Sequence, residues 1–95
     1  MRYRLVYSER AETRLAELPP ALLNFVESEL LRLADNPATL SRSSVSPPYP
    51  PNFQMYSFSH PQFDGLRWHF TVLFRYGADE MTLLIHGIGV ARYAY

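Results

Sequence analysis

The sequence contains no cysteine, no lysine and no long apolar run. Without cysteine, disulfides and thiolate chemistry are excluded, both for metal binding and for nucleophilic catalysis. No stretch approaches the ~20 apolar residues that a membrane-spanning helix needs. Residues 1–4 lead directly into a strand-like segment and lack the apolar core of a signal peptide. These absences predict a cytoplasmic protein with no membrane segment.

The charges balance, because nine arginines stand against nine acidic residues and the formal net charge is zero. Proteins that hold nucleic acid through many phosphates are usually strongly basic, since counterion release supplies much of their affinity. A neutral chain can make a few local phosphate contacts but has no broad basic surface. The 95 residues are 47% hydrophobic and 15% aromatic, which indicates one folded domain over residues 1–95.

The first half of the chain predicts a strand and two helices. A strand covers residues 2–7, and Ser8 then stands where a helix N-cap belongs. Apolar residues at helical spacing predict helices over 9–18 and 20–35, separated by Pro19-Pro20 and ended by Asn36-Pro37. Residues 37–52 are rich in proline and serine and predict a loop of extended character.

The second half predicts three strands over residues 53–59, 66–76 and 81–90, with turns at Asp64-Gly65 and 77–80. The expected fold is therefore α+β, in the order β-α-α-β-β-β. It consists of a small antiparallel meander sheet with the N-terminal strand added and a helical hairpin packed on one face. Gly87 and Gly89 in the last strand would let a neighbouring side chain approach.

The clearest candidate site lies on the strand over 66–76, where apolar and polar residues alternate. This period of two predicts one buried face with Trp68 and one open face with Arg67, His69 and Arg75. Guanidinium groups bind phosphate, and histidine exchanges protons near neutral pH, so this row predicts a catalytic site. The alternative is a structural role, in which these residues are solvated or pair with Asp79 or Glu80 across the hairpin.

Two further groups are candidates for the same chemistry. His86 lies in an apolar run and is either a catalytic group or a semi-buried hydrogen-bonded residue. Arg92, Tyr93 and Tyr95 near the C-terminus either contact a substrate base or hold the terminus on the sheet. The spacings of His60, His69 and His86 match no metal motif, so we expect no metal and no cofactor.

Several phrases, in this order, resemble the RelE/ParE superfamily of bacterial type II toxins. They are YRLVYSERA at 3–11, LADNP at 33–37, FTVLFRY at 70–76 and TLLIHGIG at 82–89. The chain departs from the family pattern at Thr71, where an arginine is common. It departs again at 55–58, where Met-Tyr-Ser-Phe replaces a segment rich in arginine and lysine.

The resemblance implies a toxin neutralised by a cognate antitoxin. RelE-like members are ribosome-dependent mRNA endoribonucleases that use no metal, which is the leading interpretation here. The alternative is a non-enzymatic binder, either a ParE-like inhibitor of DNA gyrase or a degenerate relative that only pairs with its antitoxin. As a nuclease, the chain would use four catalytic residues, Arg67, His69, Arg75 and His86. Arg92, Tyr93 and Tyr95 would bind substrate.

Overall fold

A computed structural model describes residues 2–43 and 52–94 of the chain. Five strands form one sheet: β1 (Arg4–Tyr7), β2 (Arg42–Ser43), β3 (Gln54–Phe63), β4 (Leu66–Tyr76) and β5 (Thr82–Ala94). Three helices lie between β1 and β2 in the chain: α1 (Glu9–Ala16), α2 (Pro20–Asp35) and α3 (Pro37–Leu40). None of these described helices is both long and apolar enough to cross a membrane.

The strands lie side by side in the order β1-β5-β4-β3-β2. Strands β3, β4 and β5 form an antiparallel meander, while β1 joins the far edge and runs parallel to β5. The expected α+β fold, a meander with the N-terminal strand added, is therefore confirmed. The parallel pairing of β1 with β5 makes the sheet mixed. As a parallel pair requires, the two strands are joined by a long connection, which here includes the helices and the other three strands.

Several boundaries differ from those expected. Helix α1 ends at Ala16, two residues early, while β3 and β5 continue to Phe63 and Ala94. The segment 37–52 is not a loop throughout, because it begins with the short helix α3 and the strand β2. Pro37 starts α3 at a position where no backbone N–H is needed. Strand β2 pairs with the start of β3, and residues 44–51 of the segment lie outside the described part.

The start of α1 is fixed to the sheet by Ser8. The Ser8 hydroxyl accepts a hydrogen bond from the backbone N–H of Ala11 at 3.1 Å, as an N-cap does. The same hydroxyl donates to the carbonyl of His86 at 2.7 Å, and the Ser8 backbone N–H donates to the carbonyl of Ile85. Helix α1 therefore leaves β1 directly beside β5.

The core lies between α2 and one face of the sheet. On β4 the alternate residues Trp68, Phe70, Val72 and Phe74 are buried, and they pack with apolar residues from the inner side of α2. The indole of Trp68 is only 9% exposed, and its N–H donates to the carbonyl of Phe63 at 3.0 Å. The predicted alternation along this strand is thus present in the structure.

A polar contact connects α2 to β3 at the edge of this core. The hydroxyl of Tyr56 donates a hydrogen bond to the carboxylate of Glu29, which also accepts one from Arg32 at 3.2 Å. Burial of the phenol, together with the Glu29 contact, raises the pKa of Tyr56 to about 12. The phenol therefore stays protonated and remains a donor throughout the neutral range.

Replacing Trp68 by alanine should lower the free energy of unfolding by about 3–5 kcal/mol, because a large buried side chain is lost from a core that does not refill. Urea titration followed by circular dichroism measures this. Arg75→Ala on the same strand serves as the control and should change stability by less than about 0.5 kcal/mol, as is usual for exposed sites. A loss below about 1 kcal/mol for Trp68→Ala would contradict the assigned burial.

Candidate functional site

The face of the sheet that points away from α2, here called the open face, carries the polar side chains of β4. Arg67 and Arg75 are exposed, and His69 and Thr71 are half-buried between the buried core residues. Within the part of the chain that the structure describes, a small and a large cleft open onto this face. Each brings together residues from β5 and at least one other element.

The small cleft has a volume of about 460 Å³ and lies at the end of the sheet where β4 begins. It is lined by Ser59, Arg67, His69, Tyr93 and Ala94. Cross-strand pairing explains the grouping, because Arg67 lies opposite Tyr93 and His69 lies opposite Ser59. A guanidinium, an imidazole, a hydroxyl and a phenol are thus gathered at one place, which suits the binding of a phosphodiester and the movement of protons.

The imidazole of His69 is held by Ser59. The Ser59 hydroxyl lies 2.9 Å from Nδ1 of His69, within hydrogen-bonding distance whichever atom donates. This contact leaves Nε2 as the ring nitrogen available for proton transfer. Ser59 is not among the site residues predicted from the sequence. A regular hairpin closed at Asp64-Gly65 would pair His69 with His60, but an irregularity between His60 and Phe63 shifts the register by one residue.

The remaining predicted residues do not join the small cleft. Arg75 lies eight residues from Arg67 on β4, roughly 27 Å along the strand, so the two cannot hold one phosphate. Arg92 lies on the core side of the sheet, with its guanidinium 5.4 Å from the centre of the Trp68 ring. Tyr95 is outside the described residues.

The alternative in which Arg75 pairs with the hairpin acids is wrong within the described residues. Asp79 accepts hydrogen bonds from the Met81 backbone N–H and the Thr82 hydroxyl, each at 3.0 Å. These bonds, the backbone one foremost, hold the pKa of its carboxyl below the ordinary value. Neither Asp79 nor Glu80 forms an ion pair with Arg75 in the part that the structure describes.

His86 lies in the large cleft, apart from His69. A β-bulge leaves His86 as the extra residue between Ile85, which pairs with Phe74, and Gly87, which pairs with Leu73. Its side chain is exposed, and its ring contacts that of Phe53 edge to face at 5.1 Å. The alternative of a semi-buried histidine is therefore wrong, because the bulge turns the side chain away from the core.

The large cleft has a volume of about 770 Å³ and lies between α1 and the open face. Its lining comes from one side of α1, from the middle of β4, from β3 and from the bulged part of β5: Glu9, Arg10, Thr13, Arg14, Glu17, Met55, Thr71, Leu73, His86, Gly87, Ile88 and Gly89. Of these polar residues, only His86 was predicted from the sequence to be catalytic. Arg10 and Arg14 are four residues apart on α1, a spacing that places both on one helix face.

No group of three or more His, Asp or Glu side chains within residues 2–43 and 52–94 is arranged to hold a metal ion. The histidines fall in three different surroundings. His69 lies in the small cleft and His86 in the large cleft. His60 faces the core side, where the centre of its ring lies 4.8 Å from that of Phe25.

Replacing Ser59 by alanine should release the imidazole of His69, because Nδ1 loses its partner. Nitrogen-15 NMR of the histidine rings reports the tautomer directly, and we expect the His69 signals to move toward a mixture of tautomers. Ser59→Thr keeps the hydroxyl and is the control. Identical His69 signals in the wild type and in Ser59→Ala would show that the contact does not orient the ring.

Comparison with solved structures places the fold. The chain is similar to the RelBE2 toxin–antitoxin complex of Mycobacterium tuberculosis, with a TM-score of 0.67 and 17% identity over 96% of this chain and 100% of that one. It is similar to the intact RelBE toxin–antitoxin complex of E. coli, with a TM-score of 0.62 and 16% identity over 94% of this chain and 96% of that one.

The archaeal RelE–RelB complex of Pyrococcus horikoshii gives a TM-score of 0.54 and 13% identity, covering 93% of each chain. No protein-family model matches the sequence, and no curated protein matches it either. At these identities the likeness concerns the backbone architecture and not the individual site residues. The chain thus has the fold of the RelE toxins, as the sequence resemblance implied.

Proposed function

We propose that this chain is the toxin component of a type II toxin–antitoxin module and acts as a ribosome-dependent mRNA endoribonuclease. The observation that carries the proposal is the grouping of Arg67, His69 and Tyr93 in one cleft on a RelE-like fold. The same fold in the similar structures belongs to toxins that are bound to antitoxins.

The small cleft contains the groups that such a reaction needs. The RNA 2′-hydroxyl attacks the adjacent phosphorus and loses its proton to Nε2 of His69, in the tautomer whose Nδ1–H donates to the Ser59 hydroxyl, while the bond to the 5′-oxygen breaks. Tyr93 is 54% exposed. Its phenol supplies the proton to the departing 5′-oxygen. Arg67 stabilises the charge that develops on the phosphorane. The products are a 2′,3′-cyclic phosphate and a free 5′-hydroxyl.

The other residues predicted as catalytic or substrate-binding take no direct part in this reaction. Arg75 is too far along β4 to touch the same phosphate, and His86 belongs to the large cleft. Arg92 supports the site indirectly, since its guanidinium covers the Trp68 ring on the opposite side of the sheet.

A specific observation favours the second candidate, a non-enzymatic binder. In the described strands the middle of the open face carries no cation, since its cross-strand row consists of Ser57, Thr71 and Gly89. With zero net charge, the chain also lacks the broad positive potential that favours docking on ribosomal RNA. Such a protein would inhibit DNA gyrase or only pair with its antitoxin.

The antitoxin partner is testable by co-expression. We expect the product of the adjacent reading frame to form a complex with this chain that elutes as one peak in size-exclusion chromatography. Exposed apolar side chains such as Val6 on the edge strand β1 provide surface for such a partner. Separate elution of the two proteins at micromolar concentration would contradict the prediction.

The nuclease is testable by induced expression in a bacterial host. Arg67→Ala removes one donor to the phosphorane and should slow translation-dependent mRNA cleavage by a factor of about a hundred. Arg75→Ala is the matched control, since it removes an arginine from the same face of the same strand. It should cleave like the wild type, and growth arrest should follow cleavage in every variant.

The same experiment separates the candidates. Growth arrest with intact mRNA and impaired DNA supercoiling would replace the nuclease by a gyrase inhibitor. A folded wild type that causes no arrest would identify the antitoxin-only binder. Equal loss of cleavage in Arg67→Ala and Arg75→Ala would remove the small cleft as the site.

A further inference from the structure

We infer that the large cleft binds the sugar–phosphate backbone of single-stranded RNA, with Arg10 and Arg14 contacting its phosphates. This inference rests on the proposed function, because it supplies the substrate-binding surface next to the small cleft. It adds α1 to a site whose predicted residues all lie on or after the strands β4 and β5.

The first observation is the bare floor of the cleft. Gly87 and Gly89 lie on the open face opposite Leu73 and Thr71. Neither has a positive φ, and a Cβ on Gly87 would meet nothing closer than Cδ of Arg10 at 3.9 Å. A Cβ on Gly89 would make ordinary contacts with Thr71 at 3.8–3.9 Å. The backbone and packing thus accept a side chain at both positions, and glycine disfavours strands. Glycine at these two positions therefore leaves open space above β5.

The second observation is the position of the cations. Arg10 and Arg14 line the cleft from one face of α1, and both are exposed. Within residues 2–43 and 52–94 neither forms an ion pair with an acidic side chain. The cleft also has Glu9 and Glu17, but these stand at the two ends of α1, and the arginines occupy the middle. Two guanidinium groups above an open floor suit successive phosphates.

The third observation is continuity with the small cleft. Thr71 lines the large cleft and His69 lines the small one, and these alternate residues of β4 are about 7 Å apart. A strand of RNA held by Arg10 and Arg14 can therefore extend over β4 toward His69. The exposed ring of His86, supported by Phe53, provides a surface on which a base can stack.

The experiment measures binding apart from cleavage. A short fluorescent 2′-O-methyl oligonucleotide cannot be cut by 2′-hydroxyl attack, so its anisotropy reports affinity alone. We expect Arg10→Gln/Arg14→Gln to weaken binding at least tenfold at low salt. The salt dependence should also fall, with the slope of log affinity against log salt reduced by about 1.4, because each single-strand phosphate contact contributes about 0.7.

Two sets of variants serve as comparisons. Arg2→Gln/Arg32→Gln makes the same change of charge at arginines that pair with Asp35 and Glu29, outside the cleft, and should bind like the wild type. Gly89→Val fills the floor with a residue that favours strands. It should unfold at the same or a higher urea concentration than the wild type and yet bind at least tenfold more weakly. A merely structural glycine would show the opposite result for stability.

Unchanged affinity and salt slope in Arg10→Gln/Arg14→Gln, or wild-type affinity in Gly89→Val, would overturn the inference. Equal binding of a DNA oligonucleotide of the same sequence would replace RNA by single-stranded DNA as the ligand. Loss of antitoxin binding with unchanged RNA binding would assign the cleft to the protein partner instead. If the wild type binds the oligonucleotide but cleaves no mRNA, only the proposed nuclease is contradicted. If the double variant both cleaves mRNA and binds the oligonucleotide normally, only this inference is contradicted.

Discussion

Strand β4 is hydrogen-bonded to β3 on one side and to β5 on the other along most of its length. Because both edges are used, its side chains can point only to the two faces of the sheet, and a slip of one residue would exchange them. The buried row from Trp68 to Phe74 prevents such a slip, since four large side chains would be moved into solvent. The same constraint holds Arg67 and His69 on the open face.

The two strands that flank β4 each contain an irregularity, one in β3 and one in β5. The shift between His60 and Phe63 brings Ser59 opposite His69, and the bulge at His86 turns that imidazole outward. Bulges of this kind re-aim side chains while the ladder continues beyond them. Each cleft thus contains a histidine placed by an irregularity: His69 by the extra residue in the neighbouring strand β3, and His86 by being itself the extra residue in β5. The regular part of the sheet provides stability, and the irregular parts determine the polar groups.

This division explains what the sequence could predict. Period-two alternation along β4 and helical spacing in α2 are local patterns, and both elements lie where they were expected. Sharing a face does not imply proximity, however, and Arg75 lies far from Arg67 for that reason. If side chains alternated strictly along β5 from the buried Ile85, Arg92 would lie on the open face. The bulge at His86 reverses the count, so that Arg92 covers Trp68 and Tyr93 joins the cleft.

The parallel pairing of β1 with β5 joins parts of the chain that are far apart in sequence, since Arg4 lies opposite Thr82. Contacts over such separations close late in folding, because the loop entropy must be overcome first. Both clefts draw part of their lining from β5. During synthesis, therefore, neither cleft exists until the last of these strands has left the ribosome. A chain that ends before β5 therefore lacks Tyr93 of the small cleft and His86 of the large one.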